Sequence, residues 1–170
     1  MEQLGLKLSY NVTGGPGCGK TILVGVNVGK SSSRANFITN ETLRERLVTN
    51  GFKPGDSFGG FTFLLREPTK RLDVYLHVPI KTEGPGQPGL KAFRGFGLGT
   101  EIEKIVYSRV RRICGEISTV RFYQITKPML AHVKRLGHTE EEIAEGLSFA
   151  KFEKSIRRRR REQIRRYRGR

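Results

Sequence analysis

Two runs of alternating apolar residues, separated by a short turn, constrain the fold of this 170-residue chain most strongly. Alternation with a period of two is typical of a strand with one buried face, and a turn between two such strands predicts a β-hairpin. We therefore expect an antiparallel sheet. The alternating residues lie on either side of Pro68-Thr69-Lys70 and are Phe61, Phe63, Leu65, Leu72, Val74, Leu76, Val78 and Ile80.

The rest of the chain supplies further strands and helices. Strands are predicted over 6–12, 22–29 and 117–125, and helices over 41–50, 100–114, 128–137 and from 139 onward. Two capping boxes, Thr100-x-x-Glu103 and Thr139-x-x-Glu142, are predicted to start helices. Together, these strands and helices predict an α+β fold: a mainly antiparallel sheet with helices on one face, plus a basic C-terminal helical tail. We expect a nucleic-acid-binding domain over 1–138, and a helix running into an arginine-rich tail over 139–170.

The stretch TGGPGCGKT satisfies the phosphate-loop pattern through Gly14, Gly19, Lys20 and Thr21. Over nine residues it resembles the phosphate loops of adenylate-kinase-like and viral-helicase proteins. A working loop opens directly into a helix and needs a magnesium carboxylate, for which Asp73 is the one candidate. The residues that follow are rich in Val, Ile and Gly and alternate like a strand. A glycine-rich turn between strands is favoured, and an ATP- or GTP-binding enzyme is the alternative.

The charge balance predicts a polyanionic partner. Lysine and arginine number 32 against 16 acidic residues, a net charge of +16, and a strongly basic domain is typical of nucleic-acid binding. Residues 150–170 alone hold nine Arg and two Lys. Because guanidinium groups stack on exposed bases, RNA is favoured over DNA. The predicted binding residues are Lys20, Lys91, Arg94, Arg109, Arg111, Arg112, Lys134, Arg135, Arg157, Arg158, Arg159, Arg160, Arg161, Arg165, Arg166 and Arg168.

A second glycine-rich loop, over 91–99, precedes the predicted helix at 100–114 and carries Lys91 and Arg94. It resembles the glycine-rich loops of CRISPR RAMP proteins, which bind and sometimes process guide RNA. Residues 100–125 are similar to the helix–strand unit of Alba-type nucleic-acid binders. Phe93 and Phe96 flank Arg94 and either stack on bases or belong to the core. Each resemblance covers at most about a fifth of the chain, so no family is assigned.

The histidines leave one enzymatic alternative open. His77, His132 and His138 occur without H-x-x-H or H-E-x-x-H spacing, so neither a metal site nor a cofactor is predicted. A metal-independent endoribonuclease needs only a general base and cations beside the 2′-hydroxyl. His132 or His77 could serve as that base, with Tyr123 or Lys134 as its helper. Nothing in the sequence places these residues together.

The cysteines and the lack of targeting patterns indicate where the protein is expected to act. Cys18 and Cys114 lie far apart and form no disulfide framework. The sequence has neither a secretory signal pattern nor an apolar run of membrane-spanning length. We expect an intracellular protein, cytoplasmic or organellar, that contacts no membrane. The favoured function is a non-catalytic subunit of a ribonucleoprotein, of ribosomal or guide-RNA-complex type, with RNA or DNA and other protein subunits as partners.

Overall fold

The computed structural model describes residues 3–15, 17, 19–31, 36–81, 90–93 and 95–169. A short 3-10 turn, Leu90–Phe93, precedes the second helix. The strands are β1 (Gln3–Gly14), β2 (Lys20–Ser31), β3 (Phe37–Ile38), β4 (Ser57–Arg66), β5 (Arg71–Val78), β6 (Thr119–Phe122) and β7 (Leu147–Ser148). The helices are α1 (Glu41–Thr49), α2 (Leu98–Cys114), α3 (Lys127–Arg135), α4 (Glu140–Glu145) and α5 (Phe149–Arg168).

The strands form one seven-stranded sheet in the order β3-β1-β2-β4-β5-β6-β7. All neighbouring pairs are antiparallel except β5 and β6, which are parallel. The predicted hairpin is confirmed as β4–β5, with Leu65 opposite Leu72. The predicted α+β fold with a mainly antiparallel sheet is therefore confirmed.

One face of the sheet carries the hydrophobic core. The alternating side chains of β1, β2 and β4 that point to this face are buried, and the core continues through Leu43 and Leu47 of α1 into α2 and α5. On the other face, polar residues and partly exposed apolar residues alternate with them, among them Lys7, Leu23 and Tyr75. This one-sided burial is the reason for the strict period of two in the sequence.

A β-bulge changes the alternation in β5. Val74 lies opposite Phe63, but the next pair along is Leu76 with Thr62, so Tyr75 is the extra residue. The predicted alternation through Leu76 is therefore wrong at this point, and Leu76 is 46% exposed. The bulge turns His77 onto the core face, opposite Phe61.

The glycine stretch is a turn between two strands, as predicted. Gly14 pairs with Lys20, and β2 begins at Lys20, where a phosphate loop would continue as a helix. Gly14 and Gly19 have backbone φ angles of 110° and 77°, which residues other than glycine rarely adopt. Pro16 and Cys18 lie outside the described residues.

The C-terminal segment joins the domain through both the sheet and the core. The capping box at Thr139 is confirmed, but its helix, α4, ends at Glu145 before Gly146. β7 then pairs with β6, and α5 follows. Phe152 and Ile156 of α5 are fully buried in the core. The arginine-rich segment thus continues a helix that is anchored in the domain; most of its arginines are exposed, whereas Arg159 and Arg160 are partly buried.

Candidate functional site

The predicted capping box at Thr100 is wrong, and its glutamate, Glu103, belongs to a buried polar cluster. Helix α2 begins at Leu98, two residues earlier than predicted, with Gly97 as its N-cap and no side-chain cap hydrogen bond. Glu103 therefore lies in the second turn and not at the start of the helix. Glu103, Tyr107 and Val110 follow one another at helical spacing and are all buried. Glu103 therefore lies on the buried face of α2.

Two histidines converge on this glutamate from other elements. His77 Nε2, from β5, lies 2.6 Å from Glu103 Oε1. His132 Nε2, from α3, lies 2.9 Å from Oε1 and 3.0 Å from Oε2. His77 Nδ1 in turn lies 2.8 Å from the hydroxyl oxygen of Tyr107. We call these four residues the His–Glu cluster.

The cluster buries an anion. Burial would raise the pKa of Glu103, but the charge and hydrogen bonds of His132, followed by those of His77, lower it to about 2. The carboxylate is therefore ionised at neutral pH. Among the described residues, no lysine or arginine lies within ion-pair distance of Glu103, whose only partners are the two imidazoles. Burial, together with the Glu103 charge, raises the pKa of Tyr107 well above its usual range, so the phenol keeps its proton.

A cavity of about 940 Å³ opens beside the cluster. Its floor includes His77, Glu103 and His132, and the glycine loop before α2 lines one side. Helix α5 lines another side with Arg159, Gln163, Arg166 and Tyr167. His132 is 21% exposed while His77 is 4% exposed, so His132 is the more accessible of the two histidines. Gln163 Oε1 is buried without a hydrogen-bond partner among the described residues.

A second, basic depression lies between α2 and α5, and we call it the α2–α5 groove. It has a volume of about 620 Å³. Six cationic side chains line it against one carboxylate, that of Glu153. The cations are Lys104, Arg111, Lys154, Arg157, Arg160 and Arg161.

The arginines of α5 divide among several surfaces because consecutive helical residues point about 100° apart. Arg157, Arg160 and Arg161 line the groove, whereas Arg159 and Arg166 line the cavity. The remaining predicted cations lie elsewhere. Arg158 donates to the carbonyl of Leu136, and Arg165 and Arg168 are exposed near the end of α5. Arg109, Arg112 and Arg135 are exposed, and Lys134 pairs with Glu140 at 2.5 Å.

The residues of the phosphate-loop alternative are engaged within the protein. Lys20 Nζ donates to the carbonyl of Ile113 at 3.0 Å. The Asp73 carboxylate is fully buried and accepts hydrogen bonds from Arg66 and Arg71. The described geometry thus provides neither the helix nor a free carboxylate of a nucleotide site.

In the second glycine loop, the two aromatic residues have different surroundings. Phe93 is buried and packs edge-on against Phe52 and Phe58. Phe96 is partly buried, with the Arg46 guanidinium 4.4 Å from its ring centroid. Arg94 lies outside the described residues, as does the Lys91 side chain.

Sequence reasoning found the histidines but missed their partners. The capping-box pattern accounts for Glu103 and no motif marks Tyr107, although their spacing of four places both on one helix face. Lys104 and Lys154 of the groove were missed because only the long arginine run was conspicuous. The i, i+3, i+7 spacing of Lys154, Arg157 and Arg161 was the available signal.

The comparisons with known proteins give no relative. Neither protein-family models, nor curated proteins, nor solved structures include a match to this chain. In the described part of the chain, none of the helices combines the length and apolar character needed to cross a bilayer.

Proposed function

We propose that this protein binds RNA, with the α2–α5 groove on the phosphate backbone, as a subunit of a ribonucleoprotein. The observation that carries the proposal is the meeting of six cationic side chains from two helices in a groove lined by one carboxylate, Glu153, with Glu101 paired to one of the six. Such a concentration of like charge is unfavourable in isolation and favours a polyanion, whose counterions are released on binding.

The internal ion pairs leave much of this charge uncompensated. Arg111 and Arg157 both contact Glu153, at 3.0 Å each, and Arg160 pairs with Glu101 at 2.7 Å, so three of the six cations share two anions. Among the described residues, Lys104, Lys154 and Arg161 have no ion-pair partner. Lys154 and Arg161 lie two helical turns apart, about 10 Å along α5. They can therefore contact different phosphates of one strand.

The preference for RNA rests on the residue types along α5. Guanidinium groups both pair with phosphate and stack on unpaired bases, which are more accessible in folded RNA than in duplex DNA. Tyr167, 41% exposed near the end of the helix, adds an aromatic surface of the kind that stacks bases.

The test is a binding comparison between two doubly substituted proteins. Lys154→Gln/Arg161→Gln removes two charges from the groove, whereas Lys7→Gln/Lys30→Gln removes two exposed charges from β1 and β2. With a fluorescent single-stranded RNA at low salt, we expect the groove variant to bind about tenfold or more weakly. The control should bind like the unsubstituted protein. Equal losses of RNA affinity in both variants would show that the α2–α5 groove is not the binding site. A duplex DNA of equal length that binds as tightly as the RNA would contradict the RNA preference.

The two enzymatic alternatives have tests of their own. A nucleotide enzyme requires magnesium-dependent ATP or GTP binding that is lost in Lys20→Ala. A metal-independent ribonuclease requires RNA cleavage in EDTA that is lost in His132→Ala or His77→Ala. The structure brings His77 and His132 together at Glu103, which the sequence did not predict, and this proximity favours the ribonuclease alternative. Ribonuclease activity stays a prediction.

A further inference from the structure

We propose that His77, Glu103 and His132 form a binding site for one divalent transition-metal ion of the zinc type. Their ligand-capable atoms, from β5, α2 and α3, all lie within 4.8 Å of one another. Two imidazoles and one carboxylate are a ligand set that zinc uses where a further coordination position stays open. This inference does not rest on RNA binding, and the two are tested separately.

The ligand atoms lie slightly closer together than they would around an ion. The His77–Glu103 and His132–Glu103 contacts, 2.6 and 2.9 Å, are hydrogen-bond distances, whereas tetrahedral ligands with zinc bonds of about 2.1 Å lie roughly 3.4 Å apart, so each ring would move outward by less than about 1 Å. Both histidines present Nε2 to the same carboxylate. An ion among these atoms therefore needs only small side-chain movements.

Tyr107 supplies the outer contact that metal-binding histidines need. A ligating histidine uses its other ring nitrogen for a hydrogen bond that fixes the ring and its tautomer. His77 Nδ1 has this contact with the Tyr107 hydroxyl at 2.8 Å. Tyr107 is itself fully buried among Phe61, Phe63 and Phe152, so its position is fixed by packing.

Charge balance supports a cation at this position. A buried carboxylate is costly unless it is paired, and the two imidazoles of the cluster are neutral unless protonated. Either a proton on an imidazole or a metal ion can compensate Glu103. The metal leaves open coordination positions toward the cavity, whose Arg159 and Arg166 side chains favour an anionic oxygen ligand. The experiment must therefore distinguish the metal-bound cluster from a metal-free cluster in which a proton on an imidazole compensates Glu103.

The experiment is a titration of the full-length, untagged protein with Zn²⁺ after removal of metal by a chelator. A Cys18→Ser/Cys114→Ser background removes thiol ligands. We expect one equivalent of Zn²⁺ to bind and to raise the melting temperature, Co²⁺ to give a visible absorption band of low-symmetry coordination, and Mg²⁺ to do neither. In nitrogen-edited NMR spectra, Zn²⁺ should remove the Nε2–H signals of His77 and His132, which the protonated cluster retains.

Three variants test how much individual residues of the cluster contribute to Zn²⁺ affinity. Glu103→Gln and His132→Gln should weaken Zn²⁺ binding more than Tyr107→Phe, for which a roughly 10–100-fold loss is expected from an outer contact. His138→Gln is the matched control, because His138 contacts Ser155 outside the cluster, and it should bind Zn²⁺ normally. If Glu103→Gln or His132→Gln fails to fold, the NMR and Co²⁺ measurements on the background protein still decide. Absence of stoichiometric binding, or equal binding by Glu103→Gln, would overturn the proposal.

Discussion

Lys20 of the glycine hairpin donates a hydrogen bond from Nζ to the carbonyl oxygen of Ile113, 3.0 Å away in the last turn of α2. Carbonyls in the last helical turn lack partners within the helix, and that end of the helix carries partial negative charge. The lysine of an apparent nucleotide motif thus stabilises a helix terminus that lies 93 residues away in the sequence.

Replacing Lys20 should therefore affect stability. We expect Lys20→Met to lower the free energy of unfolding by about 1 kcal/mol, because it removes one charge-assisted hydrogen bond and a favourable dipole interaction. Lys30→Met, at an exposed position at the far end of the same strand, should change it by less than about 0.5 kcal/mol. Urea unfolding followed by circular dichroism measures both. Similar losses in the two variants would mean that the contact with Ile113 contributes nothing.

The Cys114 thiol should be slow to react in the folded protein. Burial raises its pKa to about 11, although nearby Lys20 opposes the shift. At pH 8 only about a thousandth of the thiol is then ionised, against about a quarter for a free cysteine. In a Cys18→Ser background, a chromogenic disulfide reagent should react at least about 100-fold faster after denaturation. Native reaction at the denatured rate would show that this thiol is accessible and ionisable.

His138 should make stability depend on pH. Burial lowers its pKa from 6.5, with contributions from Arg158 and Lys151 against the opposing effect of Glu142. At pH values between the folded and unfolded pKa, the unfolded chain binds more protons, so stability is complete above about 6.5 and falls as the pH drops below it.

The His138→Gln variant isolates this contribution, because glutamine keeps a donor for the Ser155 hydroxyl that lies 3.1 Å from His138 Nε2. Its unfolding free energy should fall less steeply between pH 7 and pH 5 than that of the unsubstituted protein. Parallel pH curves for the two proteins would mean that His138 titrates alike in both states.

Local patterns predicted the sheet well but not the position of every side chain on it. Alternation identified β4 and β5, because burial of one face imposes a period of two. It failed beyond Val74, since the bulge at Tyr75 depends on pairing with β4 and leaves no mark in the β5 sequence. That one displacement decides whether His77 faces solvent or the core.

The site was less predictable than the fold for a related reason. Glu103 satisfies the spacing rule of a capping box, but α2 begins earlier, at Leu98, and Glu103 is buried in its second turn. Its partners His77 and His132 lie 26 and 29 residues away, on elements joined to α2 only through tertiary packing. By contrast, the basic character of α5 followed from composition, because charge needs no tertiary contact to be counted.

The salt dependence of RNA affinity tests the central claim, RNA binding by the α2–α5 groove, most directly. For single strands, the slope of log K against log salt is about −0.7 for each neutralised phosphate. The unsubstituted protein should show a steep negative slope. Lys154→Gln/Arg161→Gln should reduce its magnitude by about 1.4, and Lys7→Gln/Lys30→Gln should leave it unchanged. An affinity independent of salt, or a slope equal in all three proteins, would contradict the account.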